Sequence, residues 1–307
     1  MLGLGSSIIS GSFDQEFTPL SVANCIGWWD FSDTETMYEE NDSYTTQVTS
    51  NDDPIGRVKN KATIPTRLGN FLRTKLTGNR PLYKSADGGY AQFDGTDDAF
   101  FGARAVSNSD TQTLDAGAVS VDEFSTVQID AQTLAIIAVV KPDSATPSTD
   151  ETIFDSNGLN LGTSEVLGWS IANEATGDGY GRMYFYYNSD TNDDLTGSTD
   201  LGTNKQILTG ISAAGTNASK IYINETQDGT ATVDADPVMV FTGDAAVTSG
   251  STKGSGISIG GNLNASSVVT GGLWEGRIYE VLVFNQSLSD NDRDLLWDYL
   301  NTKHSIY

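Results

Sequence analysis

The stretch Trp274–Phe284, WEGRIYEVLVF, constrains this chain more than any other. Trp274, Ile278, Leu282 and Phe284 fall on one face of an extended strand, while Tyr279, Val281 and Val283 fall on the other. A strand apolar on both faces toward its end is covered on both sides there, so it belongs well inside a sheet. Asn285–Ser289 then turns the chain. Ser289 is placed to cap a helix opened by Asp290 and Asp292, and Lys303 and His304 lie near its far end, where positive charge complements the helix dipole. Leu296, Tyr299, Leu300 and Lys303 recur at helical spacing, which predicts one stripe laid against a sheet.

The rest of the chain repeats the strand signal without the helical one. Thr133–Val140 (TLAIIAVV) is the most apolar run and ends in Lys-Pro, so it reads as a buried central strand with Thr152–Asp155 paired beside it. Cys25–Asp33 opens the domain, and a strand is expected around Ile55–Val58. Ala91 and Phe93 precede an Asp-Gly turn and Phe100-Phe101 returns, giving a hairpin or a strand–turn–strand corner. Val166–Ala172, Arg182–Asn188, Ile207–Ile211, Lys220–Asn224, Val238–Phe241 and Ile257–Ile259 complete the set. Many turn residues and no βαβ rhythm predict an all-β chain: an antiparallel β-sandwich with one C-terminal α-helix. Residues 105–130 read as an acidic insertion. Residues 1–20, almost uncharged before Asp14, read as an N-terminal docking arm, and 21–307 as a single domain with loop insertions.

A formal charge of −24 and a pI near 4.1 argue against nucleic-acid partners, whose phosphates demand a basic face, and against anionic membrane surfaces. Such a charge suits a salty medium that screens self-repulsion. Cys25 stands alone, so no internal disulfide forms, and its setting, Cys25-Ile26-Gly27-Trp28-Trp29, marks a buried small hydrophobe. Residues 1–13 lack a basic start and a sustained apolar core, so no secretion signal is expected, and no run approaches the roughly 18 apolar residues of a membrane span.

Candidate chemistry is sparse. Retaining glucan hydrolysis needs two carboxylates on one strand face, and the nearest pattern to E-x-D-x-x-E runs from Glu280 to Asn285, with Leu282 where the Asp belongs and Asn285 at the second Glu position. Glu280 is expected to be a buried acid with a hydrogen-bonding role. His304 is the sole histidine, without a partner for a catalytic relay or a zinc site, and suits dipole compensation. Asp94, Asp97 and Asp98, or Asp234 and Asp236, offer hard oxygen ligands for calcium, although Asp also fills turns for backbone reasons. Trp169, Tyr184 and Tyr186 are candidate glycan-stacking residues, although aromatics prefer half-buried strands and the same rings more readily pack the sandwich.

Several segments in order resemble the concanavalin A-like, laminin-G-type jelly roll. They are WWDFSD at Trp28–Asp33, RPLY and QFDGTDDAF within Arg80–Phe100, LAIIAVVKPDS at Leu134–Ser144, KIYINE at Lys220–Glu225, and SIGG followed by GRIYEVLVFNQSLSDNDRDLLWDYLNTKHSI. The likeness spans residues 22–306 with insertions near 40–75, 105–130 and 225–250. That family includes lectins, laminarinases, pentraxin-like modules and virion proteins, so fold does not fix function. The start MLGLGSSIISGSF resembles virion proteins of tailed phages, including those of marine bacteria. The resemblance implies a non-enzymatic virion structural protein, a capsid-surface decoration or head-attached protein, present as a homo-oligomer or in many copies. Its arm would hold other virion proteins. The alternative is a receptor-binding or glycan-binding fibre or adhesin component that meets a host surface glycan, and a glycoside hydrolase stands third.

Overall fold

The computed structural model describes residues 17–40, 43–62, 71–74, 77–103, 133–155, 158–160, 165–175, 179–186, 193–213, 215–233, 256–263 and 269–307. Two antiparallel sheets face each other as a jelly-roll sandwich, with one helix on the outside of the smaller sheet. The strands in chain order are β1 (Cys25–Asp30), β2 (Met37–Tyr38), β3 (Arg57–Lys59), β4 (Phe71–Thr74), β5 (Leu82–Lys84), β6 (Tyr90–Asp94), β7 (Phe100–Ala103), β8 (Leu134–Pro142), β9 (Glu151–Asp155) and β10 (Gly158–Asn160). They continue with β11 (Glu165–Glu174), β12 (Tyr180–Tyr186), β13 (Asp193–Asp200), β14 (Gln206–Ser212), β15 (Gly215–Ile223), β16 (Thr226–Val233), β17 (Gly256–Ile259), β18 (Asn262–Leu263), β19 (Val269–Gly271) and β20 (Glu275–Phe284), then α1 (Asp290–His304).

The eight-stranded sheet runs β16-β15-β14-β8-β20-β6-β5, with β1 also on β20. β20 is the middle of it. One flank meets β8 along most of its length, and the other meets β6 at its start and β1 at its end. The ten-stranded sheet runs β13-β12-β11-β9-β17-β7-β4-β3-β2, with β10 on β11. One buried cluster lies between the sheets and includes Trp29, Phe93, Phe100, Ile136, Phe154, Ile171, Trp274 and Val283. A second lies between the small sheet and α1 and includes Trp28, Ile137, Tyr222, Leu282, Leu296 and Trp297. Burying each aliphatic side chain of this size contributes roughly 1.5–3 kcal/mol.

The alternation expected in β20 breaks in the middle of the strand. Ile278 pairs with Val140 and Glu280 with Val139, leaving Tyr279 as an extra residue, a β-bulge. Trp274 and Ile278 therefore join the inter-sheet cluster together with Val281 and Val283, while Tyr279, Leu282 and Phe284 join the cluster beneath α1. The bulge exchanges the two faces, and it turns Glu280 toward the helix.

One further placement differs from the sequence reading. The strand at 151–155 does not pair with β8. It crosses to the other sheet and pairs with β11 and β17, because the turn-rich segment 143–150 carries the chain over the edge of the sandwich. The Asp-Gly turn at 94–95 joins strands of different sheets, so of the two expected forms it takes the strand–turn–strand corner. The helix begins as expected, with the Ser289 side chain accepting from the Asp292 backbone N–H at 3.1 Å. Its buried stripe is Leu296, Trp297, Leu300 and His304, so the stripe is rotated from Tyr299 and Lys303 toward Trp297 and His304. Residues 105–130 and 238–241 lie outside the described residues. Of the proposed arm, only 17–20 are described; there Phe17 packs edge-on against Tyr299 at 6.2 Å and Leu20 packs against the same outer cluster.

Candidate functional site

A groove of about 560 Å³ opens at one end of the sandwich, where three stretches distant in sequence converge: the β13–β14 connection, the β15–β16 turn and the C-terminal tail. Its size falls within the range of small-molecule sites. Each wall is fixed by local backbone chemistry. Asn224 adopts the left-handed conformation (φ 55) that a short polar residue tolerates. Its side-chain oxygen accepts from Ile207 N–H at 2.9 Å, and its own N–H donates to the Ile207 carbonyl at 2.7 Å, so the β15–β16 turn is clamped onto β14.

Asp228 spans from β16 to β13, accepting from the Ser198 and Thr199 backbone N–H groups at 3.0 and 3.3 Å. That reach requires a glycine at 197, because a Cβ there would collide with the Asp228 carboxylate. The tail is held by Asn301, whose side-chain oxygen accepts from Ile306 and Tyr307 N–H, and by the Tyr307 hydroxyl donating to Glu225 at 2.9 Å. Between these walls the lining offers hydroxyls (Thr199, Thr226), amides (Asn204, Gln206, Asn224), two carboxylates (Asp200, Asp228) and an apolar patch of Ile223 and Ile306. Short polar side chains around a small apolar patch are the chemistry that grips a hydroxylated ring with one C–H face. Nothing in the linear sequence announced this site, since its residues read one by one as ordinary turn residues.

The titratable groups between the smaller sheet and α1 form a different constellation. Asp30 and Glu280 are register partners on β1 and β20, both on the side covered by α1. Lys303 Nζ donates to Asp30 Oδ2 and to Glu280 Oε2, each at 2.7 Å, and Lys61 Nζ donates to Asp30 Oδ2 at 2.9 Å. Trp28 Nε1–H donates to Glu280 Oε1 at 2.6 Å, and His304 Nε2 lies 2.8 Å from Glu280 Oε2. Sequence reasoning missed this acid pair, which lies across strands instead of along one. Burial opposes ionisation of Asp30, but the ammonium groups of Lys303 and Lys61 outweigh it and hold the carboxyl at about 2. The same two acids outweigh burial at Lys303 and raise its pKa. A glycosidase pair needs an open cleft and one acid that holds a proton. Here Lys303 fills the space between two buried carboxylates and α1 covers them, so the pair locks helix to sheet. His304 belongs to this lock, a larger role than dipole compensation.

The remaining sequence candidates separate. Asp94, Asp97 and Asp98 do come together, each offering a carboxylate oxygen within 4.8 Å of the others. Backbone bonds account for much of that: Asp94 Oδ1 accepts from Thr96 N–H at 2.8 Å, and Asp98 Oδ2 accepts from Asp94 N–H at 3.1 Å. Burial, together with neighbouring Asp94, raises the Asp98 carboxyl to about 7. Asp234 and Asp236 lie outside the described residues. The strands carrying Trp169, Tyr184 and Tyr186 are adjacent, with Trp169 opposite Phe185 and Ser170 opposite Tyr184. Trp169 is thus one residue out of phase with the two tyrosines; the three side chains lie outside the described residues. Cys25 is buried, and that burial pushes its thiol up to about 12. Among the described residues no helix is long and apolar enough to cross a membrane.

No protein-family model matches the chain, and no curated protein is significantly similar to it. Solved structures with related folds include the CBM40 domain of the Ruminococcus gnavus IT-sialidase bound to α2,3-sialyllactose, which is 16% identical with a TM-score of 0.40 over 61% of this chain and 88% of that one. The NanB sialidase from Streptococcus pneumoniae is 16% identical with a TM-score of 0.41, covering 66% of this chain and 26% of that one. A heptameric SAP-like pentraxin from Limulus polyphemus is 12% identical with a TM-score of 0.38, covering 54% and 69%. Likeness of this degree does not assign a ligand.

Proposed function

We propose that this protein is a non-catalytic carbohydrate-binding module, and that the groove between the β13–β14 connection, the β15–β16 turn and the C-terminal tail holds the sugar. The observation that carries the reading is the lining itself. Hydroxyl, amide and carboxylate groups held by clamped turns surround the Ile223–Ile306 patch, in a space that suits one or two sugar rings. The absence of catalysis is supported by the occupied state of Asp30 and Glu280, the acid pair on β1 and β20. A glycan array probed with the full chain and with Thr226→Trp, which fills the groove from the exposed first residue of β16, tests the proposal. Binding by the parent chain that the variant loses supports it. Equal binding by both moves the site elsewhere, and the strands bearing Trp169, Tyr184 and Tyr186 are then the next location.

A second reading, attachment to a tailed-phage particle, is favoured by the docking of Phe17 and Leu20 beside α1, which gives residues 1–16 a fixed point of departure. Incorporation of the chain lacking residues 1–16 into particles tests it. Normal incorporation would remove the arm from the account.

A further inference from the structure

The charge arrangement around the groove narrows the ligand. Lys205 is the only cation among the described residues that line the groove, and its ammonium is already committed. Nζ donates to Asp87 Oδ1 at 2.8 Å and to the His304 carbonyl at 2.8 Å, and it lies 4.4 Å from the centre of the Tyr279 ring. Asp87 is itself fixed, accepting from the Tyr279 hydroxyl at 2.7 Å, so the positive charge of Lys205 is compensated. Asp200 and Asp228 have no such counter-ion in the lining. The Asp228 carboxylate accepts from two backbone N–H groups and the Ser198 hydroxyl. Asn224 spends its oxygen on Ile207 and leaves its NH₂ as a neutral donor.

We infer that the groove takes an uncharged, hydroxyl-rich saccharide and turns away carboxylated or sulfated ones, an inference that rests on the groove being the sugar site. Hydroxyl hydrogens of a neutral sugar pair with the carboxylates, and its ring oxygens and hydroxyls accept from Asn and Thr. An anionic sugar would place like charges against Asp200 and Asp228 with no free cation among the described lining residues to offset them, which is how a site rejects an alternative partner. The net charge of −24 adds a repulsive field, but that field is screened within about 10 Å at ordinary salt.

The test compares neutral oligosaccharides (lactose, maltotriose, laminaritriose) with sialyllactose and digalacturonate on the full chain, in about 0.02 M and about 0.5 M salt. Neutral ligands should bind, and Thr226→Trp should abolish that binding. The acidic ones should be weaker by about tenfold or more at both salts, because the rejection is short-range. Asp200→Lys, at an exposed position, should then admit the acidic sugars with a gain of about tenfold. Acidic sugars that bind the parent chain best, in a way Thr226→Trp abolishes, would overturn this inference and leave the groove as the sugar site. No saccharide binding sensitive to Thr226→Trp would overturn both.

Discussion

Asp30 and Glu280 face each other across adjacent strands, and the Lys303 ammonium lies 2.7 Å from a carboxylate oxygen of each. One lysine from the last turn of α1 thereby neutralises two acids that are 2% and 0% exposed. Removing it leaves both carboxylates buried beside α1, with Asp30 retaining Lys61 and Glu280 retaining Trp28 and His304. Lys303→Met is expected to cost about 3–5 kcal/mol, the range for breaking a buried pair from one side. The triple change Lys303→Met, Asp30→Asn, Glu280→Gln is expected to recover much of that loss. Urea unfolding with unchanged slope measures both; equal stability of Lys303→Met and the parent would contradict the lock.

Stability is expected to peak on the acid side of neutrality. Asp30 titrates near 2 when folded, below its ordinary value of 3.8, so its contribution is present above that value and is lost as pH falls through about 2. Asp98 and Glu151 run the other way. Burial, with like charge from Asp94 at the first and from Glu275 and Asp143 at the second, raises both to about 7, although Asn173 partly offsets this at Glu151. Folding therefore favours their protonated forms, and their contribution is lost as pH rises through about 7. Chemical denaturation from pH 3 to 8 should show this fall, and Asp98→Asn with Glu151→Gln should flatten it. A parent chain whose stability climbs steadily from pH 4 to 7.5 would contradict the assignment.

The Cys25 thiol should be inert while the chain is folded. Its burial favours the neutral thiol, and a thiol held near 12 is almost wholly protonated at pH 8. Iodoacetamide at that pH should label the protein only after urea unfolds it. Rapid native labelling would place the residue at the surface.

Gly197→Ala should weaken sugar binding without contacting the sugar. The added methyl displaces the Asp228 carboxylate from the Ser198 and Thr199 amides and so moves one wall of the groove. An affinity loss of about tenfold is expected, a typical effect of losing one charged hydrogen-bond anchor. Unchanged affinity would mean that Asp228 takes no part in binding.

The sandwich, the central place of β20 and the Ser289 cap were legible in the sequence because each rests on local chemistry: alternation, a continuous apolar run and a capping residue before two aspartates. The β-bulge at Tyr279 was not. It inserts one residue without any glycine or proline to mark it, and every assignment before it in β20 changes face. Trp297 and His304 were hidden for a related reason, since the helical stripe can be phased on Tyr299 and Lys303 equally well from spacing alone. The acid pair Asp30–Glu280 depends on strand register between segments 250 residues apart, judged from the pairing of residues 30 and 280. The groove needs three such long-range meetings at once. β13 and β16, rich in Thr, Asp and Gly, carry too little hydrophobic pattern to reveal themselves as strands.

The most direct measurement is a crystal structure of the full chain soaked with the tightest-binding neutral oligosaccharide from the array. A sugar ring is expected in the groove with its C–H face on Ile223 and Ile306 and its hydroxyls on Asp228 and Asn224. A sugar seated on the ten-stranded sheet near Trp169 and Tyr184, with the groove empty, would contradict it.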